Sequence, residues 1–498
     1  MVIQLIANSK QPVYRQIADA IQQQVRQGLL RTGEKLPSTR QLADSLKVNR
    51  TTVCLAYDQL KQRGFVESHV GRGTRILGGG ENGKASRGGD LAWEQLLSSG
   101  MKTLLRTLAP RRADAADIQA DFSRLIPDQN LFPVEAFEAI LKSVIRKQGA
   151  GLFQYGPALG LPALRSLIAQ RMKRWGIAAS DSEIIIVNGA QQGMDLLFKA
   201  LIEPGDVVVV ESPTYANILP LLGFYRAQVV GVNMTSGGLD LEAFRAIAAQ
   251  RAPKLIYTIP NFQNPTGICT SSSHRRHLLR IAEEFNVPIL EDGYEEDLRT
   301  SGRGIQPIKA SDRAGHVIYL GTFSKGLFPG LRIGWIVANR SLIETLGAAK
   351  FTTDYHTSLL LQAALAEFLS RGHYDRHLKG LQRILASRLQ VAMSAMKKHF
   401  PRGVHWTSPD GGYSVWITVP AGVSARRIAE EAQREGVLIT AGDYFFNSSD
   451  DCSSFRMSVS TADENQIRDG IELLGKVIAR QIQVSPGTGS IGGDLPHI

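Results

Sequence analysis

Five short runs rich in Ile and Val, at 183–187, 206–211, 254–259, 287–291 and 317–320, recur through the middle of the chain with helix-like stretches between them. Apolar residues fill these runs without alternation, so each strand must be covered on both faces. That condition, together with the strand–helix rhythm, predicts a large α/β domain with a mostly parallel sheet. Helices are expected over 135–147 and 161–175, then over 358–369 and 377–400, and a strand over 412–419 belongs to a smaller α+β lobe. In such a sheet ligands lie beyond the C-terminal ends of the strands. The residues that follow each run are therefore the ones to inspect.

The last run opens into Gly321 to Trp335, GTFSKGLFPGLRIGW, too rich in Gly and Pro for a helix. Lys325 there is placed to form a Schiff base with an aldehyde cofactor, while the hydroxyls of Thr322 and Ser324 and the guanidinium of Arg332 suit its phosphate. After the first run, Asn188-Gly189-Ala190-Gln191-Gln192-Gly193 opens a helix whose small residues let backbone amides approach a phosphate. The second ends in Ser212-Pro213-Thr214-Tyr215, which delivers an aromatic ring. The third ends in Asn264-Pro265-Thr266-Gly267, where Asn264 can donate to a ring oxygen. The fourth ends in Asp292-Gly293-Tyr294: a carboxylate there can keep a pyridine nitrogen protonated, and the phenol can reach a ring hydroxyl.

At 498 residues the chain exceeds one ordinary core. Its net charge of +11 is uneven: Met1 to Gly78 holds 12 Lys and Arg against 5 Asp and Glu, so +7 of the +11 lies in about one sixth of the chain. A basic N-terminus points to a polyanion. Val13, Ile17, Ile21 and Val25 are spaced four apart, which predicts an amphipathic helix. Ser38 is expected to cap a second helix, TRQLADSLK. A third, RTTVCLAYDQLKQRGF, buries Val53, Tyr57 and Leu60 and leaves Arg50, Thr51 and Thr52 on its first turn, as a major-groove reader requires. A glycine-flanked hairpin around Gly71-Arg72-Gly73-Thr74 would form a wing.

Eight glycines in the 19 residues from Gly71 to Gly89 mark a flexible linker. Beyond it, Leu97, Met101, Leu104, Leu105 and Leu108 predict a helix over 91–108 that packs on the large domain. The domain division expected is 11–77, a linker at 78–117, a large domain at 118–481 and a disordered tail at 482–498. Cys54, Cys269 and Cys452 are far apart, with neither disulfide nor metal-site spacing. No apolar run approaches a bilayer span, so the expectation is a cytoplasmic protein without a metal or a membrane partner.

Leu36-Pro37-Ser38, Arg40, Leu42-Ala43, Arg50-Thr51-Thr52-Val53 and Gly71-Arg72-Gly73-Thr74 resemble the GntR-type winged helix-turn-helix. That resemblance implies double-stranded DNA contacts from Arg40, Arg50, Thr51, Thr52, Gly71 and Arg72. Cys54 departs from members that carry arginine there, which weakens base readout at that position. The five strand ends together resemble the fold-type I aminotransferases that use pyridoxal 5′-phosphate. This implies Lys325 as the Schiff-base lysine, Asp292 on the ring nitrogen, Asn264 and Tyr294 on the ring hydroxyl, and Tyr215 on the ring face. Backbone near Ala190 and Gln191, with Thr322, Ser324 and Arg332, would hold the phosphate, completed by Tyr155 from a neighbouring subunit. Arg456 would clamp the carboxylate of an amino-group effector. The order of the two parts resembles the MocR family of bacterial regulators. It implies a homodimeric, operator-binding protein that senses pyridoxal phosphate or an amino compound through a lysine aldimine. The competing expectation is a working aminotransferase with a helical appendage.

Overall fold

A computed structural model describes residues 3, 12–26, 30, 33–63, 65–69, 73–77, 93–107, 118–447 and 452–484. The chain divides into two compact units, Met1–Leu97 and Ser98–Ile498.

In the first unit, helices α1 (Val13–Arg26), α2 (Thr39–Leu46) and α3 (Arg50–Gln62) precede an antiparallel hairpin, β1 (Val66–His69) and β2 (Gly73–Ile76). Ile17, Ile21, Leu42, Val53, Tyr57, Leu60, Phe65 and Ile76 are buried together, as the helical spacing requires. Ser38 caps α2 in a reciprocal box with Gln41: the Gln41 amide donates to Ser38 Oγ at 3.2 Å, and the Ser38 amide to Gln41 Oε1 at 3.0 Å. The segment before α2 joins the hairpin through an isolated bridge at Lys35, since the Leu36 amide donates to Thr74 O and the Ile76 amide to Glu34 O. This is a winged helix-turn-helix. The expected wing residues Gly71 and Arg72 lie outside the described residues, as do the linker at 78–92 and 108–117 and the tail from 485.

The helix expected over 91–108 is two helices, α4 (Trp93–Leu96) and α5 (Ser99–Thr107), with the boundary between the units at their junction. In the second unit follow β3 (Ala120–Asp121), α6 (Val134–Gln148), α7 (Pro162–Arg174), β4 (Ile184–Val187), α8 (Ala190–Leu201), β5 (Val207–Ser212), α9 (Ile218–Phe224) and β6 (Gln228–Thr235). Next are β7 (Gly238–Leu239), α10 (Leu241–Arg251), β8 (Leu255–Thr258), α11 (Ser272–Glu284), β9 (Ile289–Asp292), β10 (Val317–Thr322) and β11 (Gly334–Val337).

These strands form one eight-stranded sheet in the order β4-β11-β10-β9-β8-β5-β6-β7, parallel from β10 through β6. β11 runs antiparallel between β4 and β10, and β7 antiparallel at the edge. Strands β4, β8 and β9 are buried at every position, which is why their sequences are mostly apolar.

Helices α12 (Arg340–Asp354), α13 (Leu359–Ser370) and α14 (His373–His399) lead to the smaller lobe. There β12 (His405–Trp406), β13 (Ser414–Thr418), α15 (Ala425–Arg434), β14 (Val437–Leu438), β15 (Thr440–Ala441), β16 (Ser454–Ser458) and α16 (Glu464–Val484) build an antiparallel sheet, β12-β13-β16-β15, beside the β14-β3 pair. Among the described residues no helix is long and apolar enough to cross a membrane.

Candidate functional site

The C-terminal ends of β4, β5, β8, β9 and β10 converge on one cavity. Its walls include Ala190, Gln191, Tyr215, Asn264, Asp292, Tyr294, Thr322, Ser324, Lys325 and Arg332, together with Leu125. Convergence follows from the parallel sheet, which brings every strand end to the same edge.

At the floor, Asp292 is buried and its Oδ2 accepts the Tyr257 hydroxyl at 2.8 Å. Its Oδ1 has no hydrogen-bond partner among the described residues. Burial pushes the carboxyl up to about 6, with the Tyr257 bond opposing the shift. A buried acceptor on a residue that lines a cavity asks for a donor on the ligand. A protonated pyridine nitrogen is such a donor.

Lys325 projects from the loop after β10 and donates to Leu125 O at 2.5 Å. Burial holds its amine below the ordinary lysine range, and Glu295 is the chief counter-charge working against that shift. The loop is braced internally, Thr322 Oγ1 donating to Ser324 Oγ at 3.0 Å and Tyr413 Oη to Lys325 O at 2.8 Å.

The N-terminus of α8 forms the opposite wall. Gly189 precedes it with φ +82°, a conformation that favours glycine, and a Cβ there would lie 2.5 Å from Arg332 Nη2 and push the guanidinium aside. Arg332 Nη2 donates to Asn188 O at 3.1 Å. Behind this turn stands a brace that sequence reasoning missed. Asp354, at the end of α12, accepts from Gln192 Nε2 at 2.7 Å, from Asn188 Nδ2 and from Lys350 Nζ at 2.7 Å. The only local signal is the i,i+4 Lys350–Asp354 pair.

Tyr215 lines the cavity, with its hydroxyl accepting from Asn217 Nδ2 at 3.1 Å and donating to Gln191 Oε1 at 3.4 Å. Tyr294 lines the cavity, but its hydroxyl donates to Phe262 O at 2.8 Å. A ring hydroxyl would have to share it. Asn264 uses its Oδ1 to accept Arg456 Nη1 at 3.0 Å, which leaves its amide nitrogen as the donor end.

The cavity adjoins a larger one of about 1050 Å³ between the lobes of this unit, which shares Leu125, Tyr215, Asn264 and Lys325 with it and also includes Arg456 and Phe445. Arg456 lies on β16, buried, with Nη2 donating to Ser123 O at 2.8 Å and its guanidinium 5.1 Å from the Phe445 ring. Tyr155 is not at its own chain's cavity. It is 82% exposed and packs beside Tyr355, ring centroids 5.6 Å apart.

The residues present fit pyridoxal 5′-phosphate: an orphaned carboxylate oxygen for the ring nitrogen, a glycine-dependent cradle at a helix N-terminus, and an amine of lowered basicity between them.

In the first unit, Arg40, Arg50 and Thr51 are exposed and Thr52 partly so. Asn49 caps α3, accepting the Thr51 amide at 3.0 Å and the Thr51 hydroxyl at 2.9 Å. Part of the hydrogen-bonding capacity expected for DNA at Thr51 is therefore spent on the cap.

Comparison with known proteins agrees with both parts. The chain matches the aminotransferase class I and II family over residues 127–474 and the gntR family of bacterial regulatory proteins over 13–76. The uncharacterized HTH-type transcriptional regulator YdfD of Bacillus subtilis is 32% identical over 472 residues, 94% of this chain and 97% of that protein. The "Probable rhizopine catabolism regulatory protein MocR" of Rhizobium meliloti is 30% identical over 466 residues, 93% of each. Among solved structures, LysN, an α-aminoadipate aminotransferase of Thermus thermophilus complexed with N-(5′-phosphopyridoxyl)-L-leucine, superposes with a TM-score of 0.73 at 28% identity, covering 79% of this chain and 100% of that one. Aminotransferases of this class depend on pyridoxal phosphate. The chain belongs to the MocR family, in which a GntR-type DNA-binding regulator is fused to an aminotransferase-like, pyridoxal-phosphate-dependent domain.

Proposed function

We propose that this protein is a homodimeric regulator of the bacterial cytoplasm that reads a double-stranded operator and senses pyridoxal phosphate, or an amino compound exchanging with it, through Lys325. The observation that supports this most is the pairing, on one chain, of a buried lysine–aspartate cavity with a capped helix whose first turn is exposed. Functionally we divide the chain into a reading module at 11–77, a linker at 78–117 and an effector domain at 118–481.

When bound, the cofactor supplies a carbonyl that exchanges between amines and a ring that withdraws electrons. The chain's own residues do the rest. Asp292, with its pKa near 6, is ionised at neutral pH and holds a proton on the ring nitrogen. Lys325, its basicity lowered by burial, offers a neutral amine more readily than a surface lysine does. Tyr215 covers the ring face, and Asn264 and Tyr294 serve the ring hydroxyl. The amides of Ala190 and Gln191, with Thr322, Ser324 and Arg332, take the phosphate. Arg456 orients an effector carboxylate from the adjoining cavity. Tyr155, exposed beside Phe351 and Tyr355 (55% and 54% exposed), is offered to the phosphate site of a second copy. Arg40, Arg50 and Thr52, with the acceptor side of Thr51, contact DNA; Gly71 and Arg72 belong to the wing that flanks them.

A second reading, aminotransferase turnover, is favoured by the same cavity, since Lys325 and Arg456 both face a space large enough for a substrate side chain. The two readings part in a mobility-shift titration on the DNA upstream of the protein's own gene, at fixed salt, with and without pyridoxal phosphate. A specific shift altered by the cofactor supports regulation. No specific shift, with rapid multiple turnover of amino and keto acids, supports the enzyme.

A further inference from the structure

Helix α5 begins at the boundary between the two units, at the end of the segment that tethers the DNA-binding module. It is docked on α9 almost backbone to backbone. A Cβ at Gly100 would lie 2.3 Å from Phe224 O, and one at Gly223 would lie 3.2 Å from Thr103 Cγ2. Gly100, Thr103 and Thr107 follow at i, i+3 and i+7 and so form one face of α5. The two threonine hydroxyls turn back onto their own helix, to Ser99 O at 3.0 Å and Thr103 O at 3.1 Å. The seam therefore depends on close packing of small residues rather than on polar bonds.

The residues that flank α9 tie it to the cavities on one side and to α8 on the other. At its start, Tyr215, Ala216 and Asn217 line the larger cavity, and Tyr215 also lines the smaller. The Thr214 amide donates to Phe445 O at 2.8 Å, and the Phe445 ring packs against Arg456. At its end, the Tyr225 hydroxyl donates to Asp195 Oδ1 at 2.9 Å on α8, the helix whose N-terminus forms the cradle. Whatever fills the cavities meets groups tied to α9 from the ring face, the small lobe and the cradle helix. Its inner side is fixed on buried Ile218 and Leu222.

We propose that α9 is the transmitting element of the effector domain and α5 its receiver, so that cavity occupancy is felt at the anchor of the DNA-binding tether through the Gly100–Phe224 and Gly223–Thr103 contacts. This rests on the sensor reading above and specifies where its signal leaves the domain. The physical requirement is a seat that distinguishes two positions of α9. A glycine seam supplies one, because small shifts there change contact at backbone distance.

The test is hydrogen–deuterium exchange on the full-length protein, comparing the amides of α5 and α9 with and without pyridoxal phosphate, in the wild type and in Gly100→Ala. The added methyl cannot fit without displacing α5, and it is outside both cavities. In the wild type the cofactor is expected to slow exchange in both helices. In Gly100→Ala it should bind with unchanged affinity, by absorbance titration, and slow α9 but not α5. The cofactor-dependent change in operator affinity should fall by about 5-fold or more. Should that variant misfold, Gly223→Ala applies the same displacement more gently. Exchange in α5 that ignores the cofactor in the wild type overturns the proposal, as does a Gly100→Ala protein that keeps the full DNA response. If α5 responds while wild-type operator affinity does not, the α9–α5 linkage stands and the sensor reading falls.

Discussion

The cavity and the reading helix handle their functional groups in opposite ways. Around the cavity nearly every group is held by another: Asp292 by Tyr257, Arg456 by Asn264 and Ser123, the α8 turn by Asp354 and Lys350. On α2 and α3 the groups that face outward, Arg40 and Arg50, are exposed, and the helices rely on caps at Ser38 and Asn49 respectively. A small ligand must be met by preorganised polar atoms in a dry site. A DNA backbone is met by charge, and long side chains that adjust on contact serve that purpose. Substitutions in the cavity should therefore mix stability with function, whereas those on α3 should change function alone.

The sharpest break is Lys325→Ala. It should abolish borohydride-fixed cofactor mass on the protein, measured on the intact chain, while DNA binding without cofactor stays within about 2-fold, as expected for a substitution in the other unit that shares no partners with the reading residues. A fixed adduct at another lysine would show that the anchor was misassigned.

Next in size is Asp292→Asn. Because the folded pKa is raised, to about 6, the carboxyl favours the folded state fully below its unfolded value near 4, and that contribution is lost as pH rises through 6. The amount is roughly 3 kcal/mol. Cofactor-free wild type should thus lose stability between pH 4 and 6 relative to Asp292→Asn, read as the difference in denaturant midpoints across that range. The same variant should bind pyridoxal phosphate more weakly at neutral pH. Equal pH dependence in the two proteins would remove Asp292 from this role.

Arg50→Ala should cost about 1–3 kcal/mol of operator affinity and leave the thermal midpoint where it was. A parallel drop in stability would erase the contrast between the two regions. The smallest effect is at Ser38→Ala, where loss of the capping box should cost about 1 kcal/mol, seen as faster amide exchange in α2 with no change in cofactor binding.

Much of this was legible in the sequence because burial writes itself into composition. β4, β8 and β9 are covered on both faces, so their apolar runs stand out, and their ends deliver the cavity residues in chain order. β6 escaped notice because it lies toward the sheet edge with much of it exposed, which left Gln228 and Asn233 in its sequence. β11 is four residues long and follows directly on the Lys325 loop, so it read as loop. The split between α4 and α5 was hidden by leucines that keep helical spacing across Leu97 and Ser98. The carbonyls of Ser123 and Leu125 were illegible in principle, since any residue can supply a backbone oxygen. The Asp354 brace joins residues 166 apart, a pairing that only the fold reveals.

The most direct test of the central claim is operator affinity, at one stated salt concentration, for wild type and Lys325→Ala, each with and without saturating pyridoxal phosphate. The wild-type affinity should change by about 5-fold or more on adding the cofactor, and the Lys325→Ala affinity should stay constant. Equal affinities in all four measurements, or the same cofactor response in both proteins, would contradict it.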